Sequence, residues 1–186
     1  MPCRCCSASA KGDSPGSAIT TGSQSGRADE LRSWESPVSV EIRPARAEDE
    51  ARCLELLAVL AGTTGSARPS EQEPIAAAFR SLLDGARGEI LVADEDGLLL
   101  GMASVSYNIA MRYGGEYCQL EELIVTPEAR GKNVGALLVQ STVDRARARG
   151  CPEYGLYLLP TTEHNLPFYQ KFGFEKIGTE LRQRLD

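Results

Sequence analysis

One stretch, residues 123–138, restricts what this chain can fold into. Leu123-Ile124-Val125 is an apolar run of strand length, and Thr126-Pro127 stops it. A short polar loop follows, Glu128-Ala129-Arg130-Gly131-Lys132-Asn133, and Val134 opens a segment of helical period that reaches Arg149 and ends at Gly150. A strand fed through a tight loop into a helix calls for a sheet with helices packed on it. The first-turn N–H groups of such a helix have no internal partners, and the macrodipole places partial positive charge there. Gly131 and Gly135 let the backbone approach an anion, and Arg130 and Lys132 add charge. The loop is a candidate pyrophosphate cradle. The spacings of a P-loop and of a G-x-G-x-x-G fingerprint are both absent.

The rest of the chain builds the sheet around this unit. Val38, Val40 and Ile42 alternate with polar residues as a first strand that Pro44 stops. Asp49 to about Leu60 reads as a helix with Cys53, Leu56, Leu57 and Leu60 on one stripe. A Gly/Ser/Thr loop covers Gly62 to Glu73, and a second helix runs from Pro74, at its first position, to Leu83. Glu89–Ala93 and Leu98–Tyr107 form strands joined by an Asp96-Gly97 hairpin turn. Gly114-Gly115 marks a second turn into a strand from about Glu116 to Val125. After the helix Val134–Arg149 come a strand Tyr154–Leu159, a short helix Asn165–Lys171 and a last strand Glu175–Leu185. The order β-α-α-β-β-β-α-β-α-β predicts an α/β fold, a mixed and mostly antiparallel sheet.

Composition removes other classes. Among 186 residues no apolar run approaches the roughly 18 that a membrane helix needs, so no membrane span is expected. The formal net charge of −6 disfavours nucleic acid and favours cationic partners. Cys3, Cys5 and Cys6 crowd the start while Cys53, Cys118 and Cys151 are scattered, and the lone His164 has no metal-ligand spacing to them. No metal is expected, and the cysteines read as free thiols of a reducing, cytoplasmic protein. Residues 1–37, rich in Ser, Gly and Ala, are expected to be disordered, leaving a domain over residues 38–186. Few acids in that segment leave an organellar transit peptide open.

The stretch Arg130-Gly131-Lys132-Asn133-Val134-Gly135-Ala136 resembles the acetyl-CoA signature R/Q-x-x-G-x-G/A of the GNAT superfamily of N-acetyltransferases. Glu121 to Pro127 before it, Asn165-Leu166-Pro167-Phe168-Tyr169-Gln170-Lys171-Phe172-Gly173-Phe174 after it, and Ile42-Arg43-Pro44-Ala45 with Asp49 near the start extend the resemblance over Val38 to Asp186. One departure stands out: Asn133 occupies a position where the family usually has Gly, and Asn is the side chain that best tolerates left-handed backbone. The Arg-Gly-x-Asn-Val-Gly form also resembles aminoalkylphosphonate acetyltransferases within the superfamily.

The resemblance implies a GNAT-type sheet with helices on both faces and acetyl-CoA as acyl donor. Backbone groups of Leu123, Ile124 and Val125 would pair with the pantetheine arm, and the N–H groups of Gly131 to Ala136 would hold the pyrophosphate. An amine would attack the thioester directly, with Tyr169 as the acid for the leaving thiolate. Glu121 is the expected base, because strand alternation puts Gln119, Glu121, Leu123 and Val125 on one face; Glu122 points to the other face unless a bulge reverses the register. The acceptor is expected to be a small cationic amine, met by the Gly62–Glu73 loop, the first two helices and Ser106 to Gly115, with Tyr107, Asn108, Tyr113 and Tyr117 as candidates to line that mouth. A peptide or protein N-terminus or lysine as acceptor and a non-catalytic acyl-CoA-binding module are the alternatives, and a homodimer joined by the final strands is open.

Overall fold

The computed structural model describes residues 40–64, 72–129, 131–181 and 183, all within the unit Ser36–Asp186. The expected disordered segment, residues 1–37, lies outside them. Five strands form one sheet in the order β1-β2-β3-β4-β5: β1 is Glu41–Pro44, β2 Gly88–Glu95, β3 Leu98–Ala110, β4 Gly115–Val125 and β5 Tyr154–Leu156. The first four are antiparallel, and β5 joins β4 in parallel after the crossover helix. The β2–β3 hairpin turns where expected. Asp96 and Gly97 both have positive φ (51° and 87°), which the right-handed twist of a two-residue hairpin demands.

Helices cover both faces. α1 (Glu50–Thr64) and α2 (Gln72–Leu82) lay Cys53, Leu56 and Phe79 against Ile90, Val92, Met102 and Ile124. α3 (Val134–Arg149) and α4 (Leu166–Gln170) lie on the other side. There Val134, Leu138, Val139, Val143 and Tyr169 pack on Leu91, Ala103, Val105 and Leu120. The buried α3 positions, Val134, Leu138, Val139, Thr142, Val143 and Ala146, recur at spacings of three and four with adjacent pairs between, as an amphipathic helix on a sheet requires.

Several expected boundaries move. Pro74 is the third residue of α2, still in the first turn, where its missing N–H costs no helical bond. The loop expected over Gly62–Glu73 is shortened at both ends, by α1 and by α2, and residues 65–71 lie outside the described residues. β5 stops at Leu156, and the chain then enters a 3₁₀ turn at Pro160–Asn165 that leads into α4. The final strand expected over Glu175–Leu185 is absent among the described residues. Ile177 and Leu181 are 85% and 91% exposed, so an apolar strand face there would have nothing to pack on.

One ion cluster ties the first strand to its neighbours. The Arg43 guanidinium donates to both Asp49 carboxylate oxygens (2.8 and 3.0 Å) and, through Nε, to Asp94 (2.9 Å). Asp49 also accepts from the Arg46 N–H (2.7 Å) and Asp94 from the Gly97 N–H (2.7 Å), so the cluster links β1, the entry to α1 and the β2–β3 hairpin. The Arg43 hydrogen bond holds the Asp49 carboxyl below its ordinary value. Such a group stabilises the fold above its unfolded pKa, and the stabilisation is lost as pH falls through the folded value. Arg43→Ala should cost about 3 kcal/mol of unfolding free energy at pH 7, since it strands two largely buried carboxylates. In urea melts the gap to wild type should narrow as the pH is lowered below 4; an equal gap at all pH values would contradict the clustering.

Candidate active site

The site begins with an irregularity in β4. Its pairing with β3 runs Ala103 to Leu123 and Ser104 to Glu122, then jumps to Val105 opposite Leu120. Glu121 is the extra residue of a β-bulge. A bulge exchanges the faces of everything beyond it. Cys118, Leu120 and Leu123 accordingly all face the α3 side, while Ile124 faces α1 and α2. The simple alternation expected for Gln119, Glu121, Leu123 and Val125 does not hold, because one residue is inserted between its two halves.

The other edge of β4 changes at the same place. β5 pairs only with Cys118, Gln119 and Leu120. From Glu121 to Val125, the span that includes the expected Leu123, Ile124 and Val125, no described strand covers that edge. A row of backbone donors and acceptors is left available to an extended ligand, as in strand addition.

The cradle lies at the end of this open edge. The Thr126 N–H donates to the Leu100 carbonyl (2.9 Å), and the chain makes a 3₁₀ turn at Pro127–Ala129. Gly131 (φ 79°) and Asn133 (φ 57°) are both left-handed, so Asn133 adopts the backbone for which its residue type is suited. The Lys132 and Ala136 N–H groups are spent on Ala129 and Asn133 carbonyls, whereas those of Gly131 and Gly135 have no partner among the described residues. Val134 is buried and anchors the helix start. Gly135 faces Val125 and Phe168, and a Cβ placed on it would meet them at an ordinary 3.5 and 3.7 Å. The protein itself therefore tolerates a side chain there. Lys132 points away, with its Nζ 2.7 Å from Glu95 on β2. Arg130 lies outside the described residues.

Acid–base groups flank the open edge. On the α1–α2 face the Ser104 hydroxyl donates to Glu122, and the Ser106 hydroxyl donates to Glu121 Oε1 (2.5 Å). Burial first, and the neighbouring Glu121 second, push the Glu122 carboxyl up to about 7. On the α3–α4 face Tyr169 is 9% exposed, between the rings of Phe168 and Phe174. Burial raises its phenol above the ordinary value, and no described residue hydrogen-bonds its hydroxyl. The edge of β4 runs between the two groups.

Other candidates resolve as structure. The Tyr107 hydroxyl donates to Glu89 (2.8 Å) under the Arg149 guanidinium, which stacks 3.8 Å from its ring. Tyr113 and Tyr117 pair at the β3–β4 hairpin around Arg112. Cys53 and Cys118 are free, with thiols pushed by burial to about 12, so neither offers a thiolate nucleophile at neutral pH. Among the described residues no group of three or more His, Cys, Asp or Glu is placed to hold a metal ion, and no helix is long and apolar enough to cross a membrane. Ser106 and Asn108 fall in the segment expected to meet the acceptor, whereas Ser104 carries no sequence signal of its own; only the Glu121-Glu122 doublet opposite a Ser-x-Ser strand could have pointed to it.

Known proteins resemble this chain in sequence and in fold. The chain is 32% identical over 91 residues to a glucosamine 6-phosphate N-acetyltransferase of Trypanosoma brucei brucei, covering 48% of this chain and 58% of that protein. It is 30% identical over 103 residues to a streptothricin acetyltransferase of Streptomyces lavendulae, covering 52% of each. The matched region thus spans little more than half the length of either relative. Over 79% of the chain and 100% of its counterpart, the fold matches a crystal structure of a Trypanosoma brucei acetyltransferase with a TM-score of 0.64 and 27% identity. Residues 47–174, from the 3₁₀ turn before α1 to Phe174 after α4, match the acetyltransferase (GNAT) family, and the chain belongs to that family.

Proposed function

We propose that the chain transfers an acetyl group from acetyl-CoA to the primary amine of a small cationic molecule by direct attack. The observation that carries this reading is the open β4 edge from Glu121 to Val125, set between the Gly131–Gly135 cradle and a carboxyl held near neutrality. Acetyl-CoA supplies an activated thioester and a thiol leaving group. The unpartnered N–H groups at Gly131 and Gly135 would be available to its diphosphate, and the open edge at Leu123, Ile124 and Val125 to its pantetheine.

The amine must lose a proton to react. Glu122, rather than the more exposed Glu121, has the environment of the base. A carboxyl titrating near 7 is half ionised at working pH, and it is basic enough to take an amine proton. The acid is assigned to Tyr169, whose raised pKa keeps it protonated and whose hydroxyl has no competing partner. The buried thiols argue for direct attack over an acyl-enzyme.

Among the described residues, the polar side chains that β3 and β4 turn to the α1–α2 face near the open edge are Ser104, Ser106, Asn108, Gln119, Glu121 and Glu122, none of them cationic. This composition speaks for a cationic acceptor and against the phosphonate-type acceptor raised by the sequence. The two relatives are named for acetylating an amino sugar phosphate and streptothricin, which supports an amine acceptor, and the carboxylates favour a cationic one. The free buried cysteines accord with a reducing compartment such as the cytoplasm.

Release of free thiol from acetyl-CoA on adding cationic amines tests the reading; no release with any amine would refute it. Gly135→Glu should separate fold from function. The position is only half-buried in the first turn of α3, so the variant should stay folded, while acetyl-CoA binding by calorimetry should be lost, because a carboxylate at the helix N-terminus opposes the diphosphate in both bulk and charge. Unchanged affinity would contradict the cradle. Tyr169→Phe keeps the ring and removes a hydroxyl without a described partner, so the melting temperature should hold within a few degrees. Its kcat should fall about 10²-fold, at the low end of acid catalysis, with little change in acceptor KM. A wild-type kcat would remove Tyr169 from the reaction.

A further inference from the structure

The loop before α3 is anchored at its two ends by apolar side chains and at its middle by one ion pair. Ala129 and Val134 are buried in the core beneath α3. Gly131, Lys132 and Asn133 between them are exposed, and the residues on either side of Lys132 hold left-handed backbone. Asn tolerates that backbone better than other side chains but still prefers the right-handed form, so the loop has an alternative to its present shape. Asn133 makes no side-chain cap. Lys132 therefore supplies the one side-chain hydrogen bond that these three residues make among the described residues.

The partner of Lys132 is itself fixed. Glu95 closes β2, opposite Leu98 across the Asp96-Gly97 turn. Its neighbour Asp94 is held by Arg43 and by the Gly97 N–H, which ties this end of the sheet to β1 and the entry to α1. The Glu95 side chain is 14% exposed against 40% for Lys132, and both of its oxygens accept from the Lys132 ammonium. A largely covered carboxylate at a strand end is a stationary anchor. The lysine rides on the loop, so the pair ties the loop to the sheet.

We infer that Glu95 is a positioning residue of the donor site: through Lys132 it holds the loop in the left-handed form that leaves the Gly131 and Gly135 N–H groups available to a diphosphate. This rests on the acetyl-CoA reading and adds to it a residue outside the loop. Two effects of Glu95 oppose each other. Its charge disfavours a nearby anion, but the Lys132 ammonium balances that charge and salt screens the remainder. Its hold on the loop favours binding, because a loop that is competent for only part of the time binds more weakly in proportion. The hold sets the sign.

Calorimetric titration with acetyl-CoA at 0.15 M salt tests the assignment in Glu95→Gln, in Lys132→Met and in the double variant, which removes the pair at constant net charge. Each single variant should raise Kd about threefold, the scale of a partly exposed ion pair. The double variant should be no weaker than the weaker single, since both break one interaction. The melting temperature without donor should hold within a few degrees, and in thiol release the loss should fall on the KM for acetyl-CoA rather than on kcat. A Lys132 that contacts the diphosphate itself would give singles of opposite sign, with Glu95→Gln tightening binding and Lys132→Met weakening it, and would overturn the inference. An unchanged Kd in all three variants, or losses that add in the double, would overturn it as well while leaving the donor site intact. Wild type that binds no acetyl-CoA would sink the acetyl-CoA reading, and the inference with it.

Discussion

The inserted Glu121 is the constraint on which the site depends. One extra residue in β4 breaks the ladder to β3, turns the rest of the strand over and coincides with the end of its pairing to β5. Were the same residues laid out in a regular strand, Glu122 would face α3 and Leu123 would face α1. The apolar partners on both faces make the register expensive to change. Leu120 and Leu123 are packed with Val105 and Leu138 on one side, and Ile124 with Met102 and Leu56 on the other. A slip of one residue would move all of them out of their clusters. The core on both faces thus maintains a local irregularity that a lone hairpin would relax.

That irregularity gathers groups from distant parts of the chain. Its open edge runs to the cradle, where two left-handed residues, Gly131 and Asn133, turn the chain into α3. α4 returns after the crossover to set Phe168 against the Gly135 position and Tyr169 behind the edge. The proposed acid, Tyr169, and the proposed base, Glu122, lie on opposite faces of one sheet, so they approach each other only at a strand edge that no described strand covers. Desolvation does the electrostatic work. It raises Glu122 to near neutrality and keeps Tyr169 protonated, both against the charged form.

Elements set by local signals in the sequence stand where those signals put them. α3 spans Val134–Arg149 as its period and the following Gly150 indicate, and the Asp96-Gly97 turn carries its own backbone requirement. Asn133 proved left-handed for the reason its side chain suggested. What local pattern could not reveal depended on partners far away in the chain. The bulge exists only relative to β3, eighteen residues earlier at Ser104, and nothing in Glu121-Glu122 itself distinguishes it from a regular doublet. Lys132 reads as a cradle cation until Glu95, thirty-seven residues away, draws its ammonium aside. The alternating tail after Phe174 reads as a strand, yet a strand needs an apolar surface to cover, and Ile177 and Leu181 face none.

The central claim is that the bulge converts Glu122 into a base, and the direct measurement is titration of its side-chain carboxyl by carbon-13 NMR, assigned by comparison with Glu122→Gln. A midpoint near 7 is predicted, moving to lower pH in Glu121→Gln as the neighbouring negative charge is removed. A midpoint at the ordinary glutamate value of about 4.3, insensitive to residue 121, would contradict the account.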